Sequence, residues 1–221
     1  MLPSVTVSSA TLEDGTEFTL GRRDNEWFVR VGSMLLMSSR AHASEEALAE
    51  HALARVVEPR RILLGGLGLG FTLRAVLDRV PATATITVSE LVPALVAWNR
   101  EHVGDLASHP LDDKRCNVVV GDVFDEIKRG PEAFDVILLD VDNGPMALSN
   151  PKNQRLYGER GVAACHRALG PNGVLAVWSR GPNARFERLL HKARFDVEVL
   201  RVRAFKTGRA SHVLFLGTRR T

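Results

Sequence analysis

The sequence predicts an α/β fold in which a doubly wound, mainly parallel sheet follows a small antiparallel β-meander. Residues 4–38 contain short β-like runs separated by turn residues. From residue 60 onward, β-branched or Leu-rich runs alternate with helical patterns, which indicates strand–helix–strand units. Several of these runs are apolar almost throughout, as expected for parallel strands covered on both faces, namely those near residues 86, 118, 137 and 175.

The composition is that of a soluble globular protein, with 45% hydrophobic and 25% charged residues among 221. No apolar run approaches the roughly 18 residues that a membrane span needs, so we expect no membrane association. The N-terminal residues lack a charged and then apolar leader, so we expect no secretory signal. Cys116 and Cys165 lie far apart without a CxxC motif, which favours a reducing, cytoplasmic location.

The chain is predicted to divide into an N-terminal meander, residues 1–43, and a main domain, residues 44–221. Turn signals at Asp14-Gly15 and Gly32-Ser33 separate the runs of the meander. Its open edge strands favour pairing of two copies of the chain, so we expect a homodimer. Ser44 is the predicted N-cap of the first helix of the main domain, which we expect to end near Val57.

Seven strands are predicted in the main domain. The last two are joined by a short link, so we expect them to pair antiparallel at the edge of the sheet. The seven strands lie at about residues 61–65, 84–89, 117–120, 134–139, 174–178, 197–202 and 211–217. Helices are predicted between them, at about residues 70–80, 92–102, 154–169 and 184–193. The result is a Rossmann-like seven-stranded sheet.

A glycine-rich loop follows the first of these strands and opens a helix, which is the sequence form of a nucleotide-cofactor cradle. Its glycines are Gly65, Gly66, Gly68 and Gly70. The spacing is GxGxG, followed by Phe71, whereas dinucleotide sites favour GxGxxG. The GxGxxG spacing suits a cofactor with a pyrophosphate. S-adenosylmethionine has none, so its site does not require that spacing.

Acidic residues follow the next two strands. Glu90 ends the second strand about twenty residues after the loop, where a carboxylate accepts hydrogen bonds from ribose hydroxyls. Asp122 follows the third strand and is placed to accept a hydrogen bond from an adenine amino group, or to cap the next helix. Leu91 and Val123 are expected to cover the faces of the adenine ring.

Two further aspartates, Asp140 and Asp142, follow the fourth strand, where an acceptor would meet the cofactor. One interpretation is that Asp140 orients and deprotonates an amine; the other is that hard oxygen ligands hold Mg²⁺. The seven histidines show no ligand spacing, so we predict no metal site. His42 is a candidate substrate residue because it follows the meander, beside the expected cleft.

Several of these motifs resemble those of the class I S-adenosylmethionine-dependent methyltransferases. The motifs are Ile62–Gly70, Val88–Glu90, Gly121-Asp122 and Phe134–Asp140. More narrowly, the chain resembles the spermidine synthases, the aminopropyltransferases built on that fold. This second resemblance is carried by Ser89–Val96, Asp140 with Gly144-Pro145, Leu156-Tyr157 and Ala168–Val174. It implies that Asp140 matches the catalytic aspartate, that Asp142 loosely matches a second acid, and that Tyr157 lies near the substrate.

The sequence also departs from that family. Spermidine synthases usually carry an aspartate in the glycine loop, facing the amine end of decarboxylated S-adenosylmethionine; here the position is Leu69. An unpaired buried ammonium is costly, so a missing acid weakens the polyamine interpretation. We therefore expect intact S-adenosylmethionine and methyl transfer to a small amine or hydroxyl acceptor. The alternative is aminopropyl transfer to a polyamine from the decarboxylated compound.

Other functions remain open at this level. The short acidic loop after Asp140 also suits a catalytically silent paralogue that keeps the cofactor cradle. A metal-dependent O-methyltransferase would need further oxygen ligands after the fifth strand, where Ser179–Asn183 is a poor set. Residues 180–221 hold eleven Lys and Arg against three Asp and Glu, which indicates either a solvated face or an anionic partner such as RNA. We expect a small-molecule acceptor rather than a nucleic acid.

Overall fold

The N-terminal part of the chain folds as a four-stranded antiparallel sheet. A computed structural model describes residues 4–141, 144–146, 155–205 and 209–220. The first sheet pairs its strands in chain order: β1 (Val5–Thr11), β2 (Glu17–Arg23), β3 (Glu26–Val31) and β4 (Met34–Ser38). Phe18, Leu20 and Val29 are buried on one face and pack in the same cluster as Leu69 and Trp98 of the main domain. The meander therefore shares a hydrophobic cluster with the glycine loop and the helices of the main domain.

The main domain contains the expected seven-stranded sheet. Its strands are β5 (Arg61–Gly65), β6 (Thr85–Glu90), β7 (Cys116–Val120), β8 (Phe134–Leu139), β9 (Leu169–Ser179), β10 (Phe195–Arg203) and β11 (Ser211–Arg219). They lie in the order β10-β11-β9-β8-β5-β6-β7. Strands β5 to β9 are parallel, while β11 runs antiparallel to both β9 and β10. The doubly wound fold with its antiparallel edge pair is thus confirmed.

Helices cover both faces of this sheet. They are α1 (Ala43–Leu53), α2 (Phe71–Leu77), α3 (Pro93–Trp98), α4 (Val123–Ile127), α5 (Glu159–Ala168) and α6 (Ala184–Lys192). Side chains of β5 alternate between the two faces, so Ile62 and Leu64 join the cluster under α1 and α2, while Leu63 joins the cluster under α4, α5 and α6. No helix in the described ranges is long and apolar enough to cross a membrane.

The start of α1 differs from the prediction. The helix begins at Ala43 after His42, so Ser44 lies inside the first turn and is not its N-cap. Ser followed by two glutamates has the sequence signature of a cap, but here the Ser44 side chain is buried and bonded to other parts of the chain. This displacement brings Ser44 and Glu45 toward the interior of the molecule, where both acquire neighbours that the sequence did not indicate.

The strand order determines which edge of the sheet carries the candidate site. The carboxyl ends of β5 to β9 lie along one edge, and the amino end of the antiparallel β11 lies beside them. Chain order reverses between β5 and β8, which is the topological switch point where open α/β sheets bind ligands.

Candidate active site

A cavity of about 640 Å³ lies at this edge, between the meander and the main sheet. It brings together most of the predicted site residues, which come from the ends of four neighbouring strands. Those in its wall are Gly66, Gly68, Glu90, Leu91, Asp122, Val123 and Asp140. Gly65 and Gly70 belong to the loop below without lining the cavity. Asp142 lies outside the described residues.

The glycine loop passes directly beneath Asp140. Gly66 has a φ of +89°, and a Cβ at this position would lie 2.2 Å from the backbone oxygen of Asp140. No other residue type fits this close approach. The amide of Asp140 donates to the Gly65 carbonyl at 2.9 Å, so the two strand ends are also joined by a hydrogen bond. The loop and the predicted catalytic carboxylate are therefore one rigid unit.

Asn99 bonds the other side of the loop, and this role was not predicted. Its side-chain Nδ2 donates to the carbonyl oxygens of Gly68 at 2.9 Å and Leu95 at 2.8 Å. Asn99 opens a π-helical turn, Asn99–Val103, that continues from α3 and points the amide at the loop. A widened turn of this kind is frequent at functional sites.

Glu90 is fixed by backbone donors. Its Oε1 accepts from the Val92 amide and its Oε2 from the Leu67 amide, both at 2.8 Å, and the side chain is buried. Each carboxylate oxygen can accept a second hydrogen bond, so two ribose hydroxyls remain compatible with this geometry. The predicted ribose contact stays a prediction.

Asp122 adopts the capping geometry. Its Oδ1 accepts from the Phe124 amide at 2.8 Å at the start of α4, and its Oδ2 is bonded by the guanidinium of Arg155. Leu91 and Val123 lie in the same wall of the cavity. The helix-capping role is confirmed, and the proposed contact with adenine stays a prediction.

Asp140 is the acid in the middle of the cavity. Burial raises its pKa from the ordinary 3.8 to about 6, although Thr72 opposes this rise. The Thr72 hydroxyl donates to Oδ2 at 2.5 Å and so favours the ionised form. Asp140 is therefore charged at neutral pH but accepts a proton more readily than an exposed aspartate.

Glu45 lines the same cavity and was missed as a site residue. Burial raises its pKa well above the ordinary value, and the neighbouring charges of Asp140 and then Glu46 raise it further. On the sequence, Glu45 fits the first turn of α1, where acids interact favourably with the helix dipole. The structure instead places it in the same cavity wall as Asp140, and the charge of one half-buried acid disfavours ionisation of the other.

Besides the residues at the ends of β6 and β7 and the two acids Asp140 and Glu45, a third group of residues lines the cavity. It lies at the end of β9 and the start of β11. Trp178, Arg180 and His212 all line the cavity, and none was predicted. The indole Nε1 of Trp178 donates to Ser44 Oγ at 3.0 Å, and Ser44 Oγ lies 2.8 Å from His212 Nδ1. The Trp178 and His212 rings meet edge to face with centroids 4.5 Å apart.

Residues 41–193 match the spermine/spermidine synthase domain. The chain belongs to this family. Polyamine aminopropyltransferase 2 of Pseudomonas aeruginosa is 35% identical over 136 residues, which are 60% of this chain and 37% of that protein. Polyamine aminopropyltransferase 1 of Hyperthermus butylicus is 30% identical over 175 residues, 77% of this chain and 58% of that protein. The chain thus spans less than two thirds of the length of these relatives.

Solved spermidine synthase structures share the fold. One, in complex with the transition state analogue AdoDATO, superposes with a TM-score of 0.82 at 19% identity, covering 97% of this chain and 73% of that one. The spermidine synthase of Thermotoga maritima gives a TM-score of 0.77 at 18% identity, with 97% and 72% covered. The resemblance drawn from the sequence motifs is confirmed at the level of family and fold.

Within this spermidine synthase fold, two predicted substrate residues do not reach the cavity. His42 stacks on Phe71 at 4.3 Å and bonds Glu46 through Nδ1 at 2.7 Å. Tyr157 is buried against Phe186, at the edge-to-face centroid distance of 5.6 Å. Neither side chain is part of the cavity wall, so their proposed substrate contacts have no support in this geometry.

Metal chemistry also lacks a ligand set here. Among the residues that the structure describes, no group of three or more His, Cys, Asp or Glu is arranged to hold a metal ion. The second acid needed near Asp140 is supplied by Glu45, whose raised pKa indicates a protonated group rather than a preformed anionic ligand. Both interpretations of Asp140, proton transfer and Mg²⁺ binding, stay predictions.

Proposed function

We propose that the protein transfers the aminopropyl group of decarboxylated S-adenosylmethionine to an amine. This reverses the order of our two expectations, because methyl transfer finds no support among the relatives, which are named polyamine aminopropyltransferases. The observation that carries the proposal is the pair of carboxyl groups, Asp140 and Glu45, in one cavity beside the glycine loop. Such a pair suits an ammonium that must bind, lose a proton and then attack.

The structural reason for preferring the intact donor also disappears. Leu69 was expected to face the amine end of the donor, but it is 3% exposed and does not line the cavity. It packs against Phe71, Val92 and other apolar residues between the meander and α3. Its apolar character reflects the core that the meander shares with the main domain, and says nothing about a carboxylate on the donor.

The nucleoside would be held by groups that are already fixed. Glu90 would accept the ribose hydroxyls, with its orientation set by two backbone amides. Asp122, Leu91 and Val123 would surround the adenine. The glycine loop leaves room for the sulfonium next to Asp140, since Gly66 and Gly68 present only main chain to the cavity. Such preorganisation lowers the entropy lost on binding.

The reaction is a displacement at carbon. The neutral amine nitrogen of the acceptor attacks the propyl carbon attached to the sulfonium, and a new N–C bond forms as the C–S bond breaks. The bonding electron pair goes to sulfur, which leaves as the neutral thioether of methylthioadenosine. The sulfonium is already a good leaving group, so the protein contributes mainly position and proton removal.

Asp140 is placed to take the proton. With a pKa of about 6 it is ionised at neutral pH, so it can accept a hydrogen bond from the acceptor ammonium and then its proton. Glu45, with its higher proton affinity, ionises when a cationic amine enters and compensates the added charge. The burial of both groups strengthens their interaction with an amine, because the surrounding dielectric is low.

A comparison of the two donors tests this proposal. The protein is incubated with 1,4-diaminobutane or 4-aminobutanoate, and with either decarboxylated or intact S-adenosylmethionine. We expect methylthioadenosine release only with the decarboxylated donor. Release of S-adenosylhomocysteine from the intact donor would instead re-establish methyl transfer. If calorimetry shows donor binding but neither product forms with any amine, the protein is a silent member of the family.

A further inference from the structure

Because of the strand order, the residues that line the cavity follow one another along one edge of the sheet. Residues at the ends of β7 and β6 are placed for the nucleoside, and Asp140 at the end of β8 is placed for the reacting nitrogen. Next along the edge come Trp178 and Arg180 at the end of β9, and His212 at the start of β11. The part of an acceptor that extends away from its reacting amine therefore meets this third group.

The hydrogen-bond network is compatible with a neutral His212 that carries its proton on Nε2. Ser44 Oγ accepts from Trp178 Nε1, which can only donate, and so its own hydrogen is available for His212 Nδ1. On this assignment Nδ1 is an acceptor, and the proton of the neutral imidazole sits on Nε2. Within the described part of the chain, Nε2 has no hydrogen-bond partner, and the ring lines the cavity. His212 then offers the cavity one N–H donor.

Charge around His212 supports the neutral form. Burial lowers its pKa, and the positive charge of Arg180 lowers it further. Arg180 is an exposed residue in the cavity wall, and among the described residues none forms an ion pair with it. The two side chains thus present hydrogen-bond donors, one of them positively charged, and no acceptor.

Carboxylates elsewhere in the described wall are already bonded. Glu26 accepts from Ser38 at 2.7 Å and from Arg23 at 2.9 Å, with Arg40 3.6 Å away. Glu90 and Asp122 bond backbone amides, as described above. Asp14, also in the wall, accepts from the Thr16 amide at 3.1 Å. Glu26 and Asp122 already pair with arginines, and Glu90 lies on the other side of β8 and β5 in the strand order. A second ammonium at the far end of the acceptor would therefore lie beside the like charge of the exposed Arg180, which repels it.

We propose that Arg180 and His212 form a subsite for a carboxylate on the acceptor, so that the acceptor is an amino acid-like amine rather than a diamine. The proposal rests on the aminopropyl transfer proposed above and specifies its acceptor class. Arg180 would pair with the carboxylate, and His212 Nε2–H would donate to it, while the Trp178–Ser44 pair fixes the tautomer. Asp140 and Glu45 would receive the amine at the opposite end.

Three acceptors of equal length test the subsite: 4-aminobutanoate, 1,4-diaminobutane and 1-aminobutane. They differ only in the distal group, which is anionic, cationic or apolar. With decarboxylated S-adenosylmethionine, we expect kcat/KM for 4-aminobutanoate to exceed that for either other amine by about tenfold or more. A preference for the diamine, or no preference among the three, would overturn the proposal.

Variants test whether Arg180 and His212 cause the preference for 4-aminobutanoate. Arg180→Gln should remove the preference, mainly through KM, whereas Arg188→Gln on the exposed face of α6 should leave it unchanged. Ser44→Ala and His212→Phe should each weaken the preference about threefold or more. If Arg180→Gln and His212→Phe both keep the full preference, the subsite is not where we place it.

Binding measurements separate this proposal from the proposed reaction. Calorimetry of each amine into protein saturated with methylthioadenosine needs no turnover. If no amine releases methylthioadenosine from the donor, the proposed reaction fails, but tighter binding of 4-aminobutanoate that is lost in Arg180→Gln still supports the carboxylate subsite. Equal or weaker binding of that amine would overturn the subsite even in an active transferase.

Discussion

The two halves of the cavity differ in how well their carboxyl groups are supplied with hydrogen-bond donors. On the side proposed for the nucleoside, Glu90 and Asp122 are bonded by main-chain amides and Asn99 bonds the glycine loop, so these groups are held in place without a ligand. On the acceptor side, Asp140 and Glu45 are desolvated carboxyl groups with raised pKa values, and Asp140 has one hydroxyl donor. One half is complete without a ligand, and the other is electrostatically incomplete until a cation binds.

This difference indicates how the two substrates are handled. A rigid, satisfied site binds with little reorganisation, which suits a donor that must be held at a fixed angle. A buried acid pair with high proton affinity binds an ammonium while removing its proton, which suits a nucleophile. The predictions that follow test whether the halves can be disturbed separately.

The largest effect is expected from Asp140→Asn. Losing the proton acceptor should lower kcat for amine transfer by about 10²–10⁴-fold while donor binding changes by no more than about twofold. Methylthioadenosine release measures the first quantity and calorimetry the second. Asp112→Asn, at an exposed aspartate outside the cavity, is the control. A matching loss of donor affinity would show that the halves are not separate.

Gly66→Ala should damage the nucleoside half and the fold together. The new Cβ would lie 2.2 Å from the Asp140 carbonyl oxygen in a left-handed backbone conformation, so we expect a loss of about 2–4 kcal/mol in the free energy of unfolding. Gly130→Ala, where a Cβ meets nothing within 4 Å, should change stability little. Urea denaturation of both variants makes the comparison, and equal stabilities would contradict the described loop.

The raised pKa of Asp140 should make the free energy of unfolding depend on pH. The pKa of Asp140 is about 6 in the folded protein and 3.8 ordinarily, so the folded state binds this proton more tightly. Its contribution to stability is present below about pH 4 and is lost as the pH rises through 6. Asp140→Asn should therefore be more stable than the native protein at pH 7, by about 1–3 kcal/mol, with no difference near pH 4.

Unfolding curves at the two pH values measure that difference. A gap that stays constant across the range would mean that the Asp140 carboxyl group is not desolvated. The same titration should give kcat/KM an acidic limb near pH 6, since the base must be ionised to act.

Glu45→Gln is expected to be milder. Glu45 is protonated while Asp140 titrates, so the acidic limb should stay near pH 6. The variant cannot ionise to balance a bound amine, however, and KM for the acceptor should rise about tenfold. Glu50→Gln, at an exposed position of the same helix and outside the cavity wall, is a matched control with unchanged KM. Steady-state kinetics with the donor saturating distinguish the two.

Arg155→Gln should have the smallest effect. Its side chain is 46% exposed, and Asp122 keeps the Phe124 amide as a partner, so donor affinity should change by threefold at most. Calorimetry with methylthioadenosine measures it. A loss of tenfold or more would mean that the nucleoside half depends on a surface ion pair rather than on main-chain donors.

The sequence predicted the nucleoside half well because its residues are close together in the chain. Strand, glycine loop, helix, strand and acid follow one another from Arg61 to Glu90, and all of them lie where the pattern indicated. Local hydrophobic periodicity also identified all seven strands of the main sheet.

The acceptor half could not be predicted in the same way. Ser44 meets Trp178 and His212 across 134 and 168 residues, so no local spacing connects them. Glu45 looked like an ordinary first-turn acid, and only the packing of α1 against the sheet makes it a partner of Asp140. His42 lies next to Ala41 of the cavity wall, but its ring stacks on Phe71, so its predicted substrate role stays a prediction.

The final hairpin, β10–β11, has a consequence for how such proteins diversify. It supplies His212 to the cavity and lies at the opposite end of the strand order from β6 and β7, which carry Glu90 and Asp122. If the proposed sites are correct, substitutions at the first residues of β11 would change which amines are accepted and leave the donor contacts unchanged.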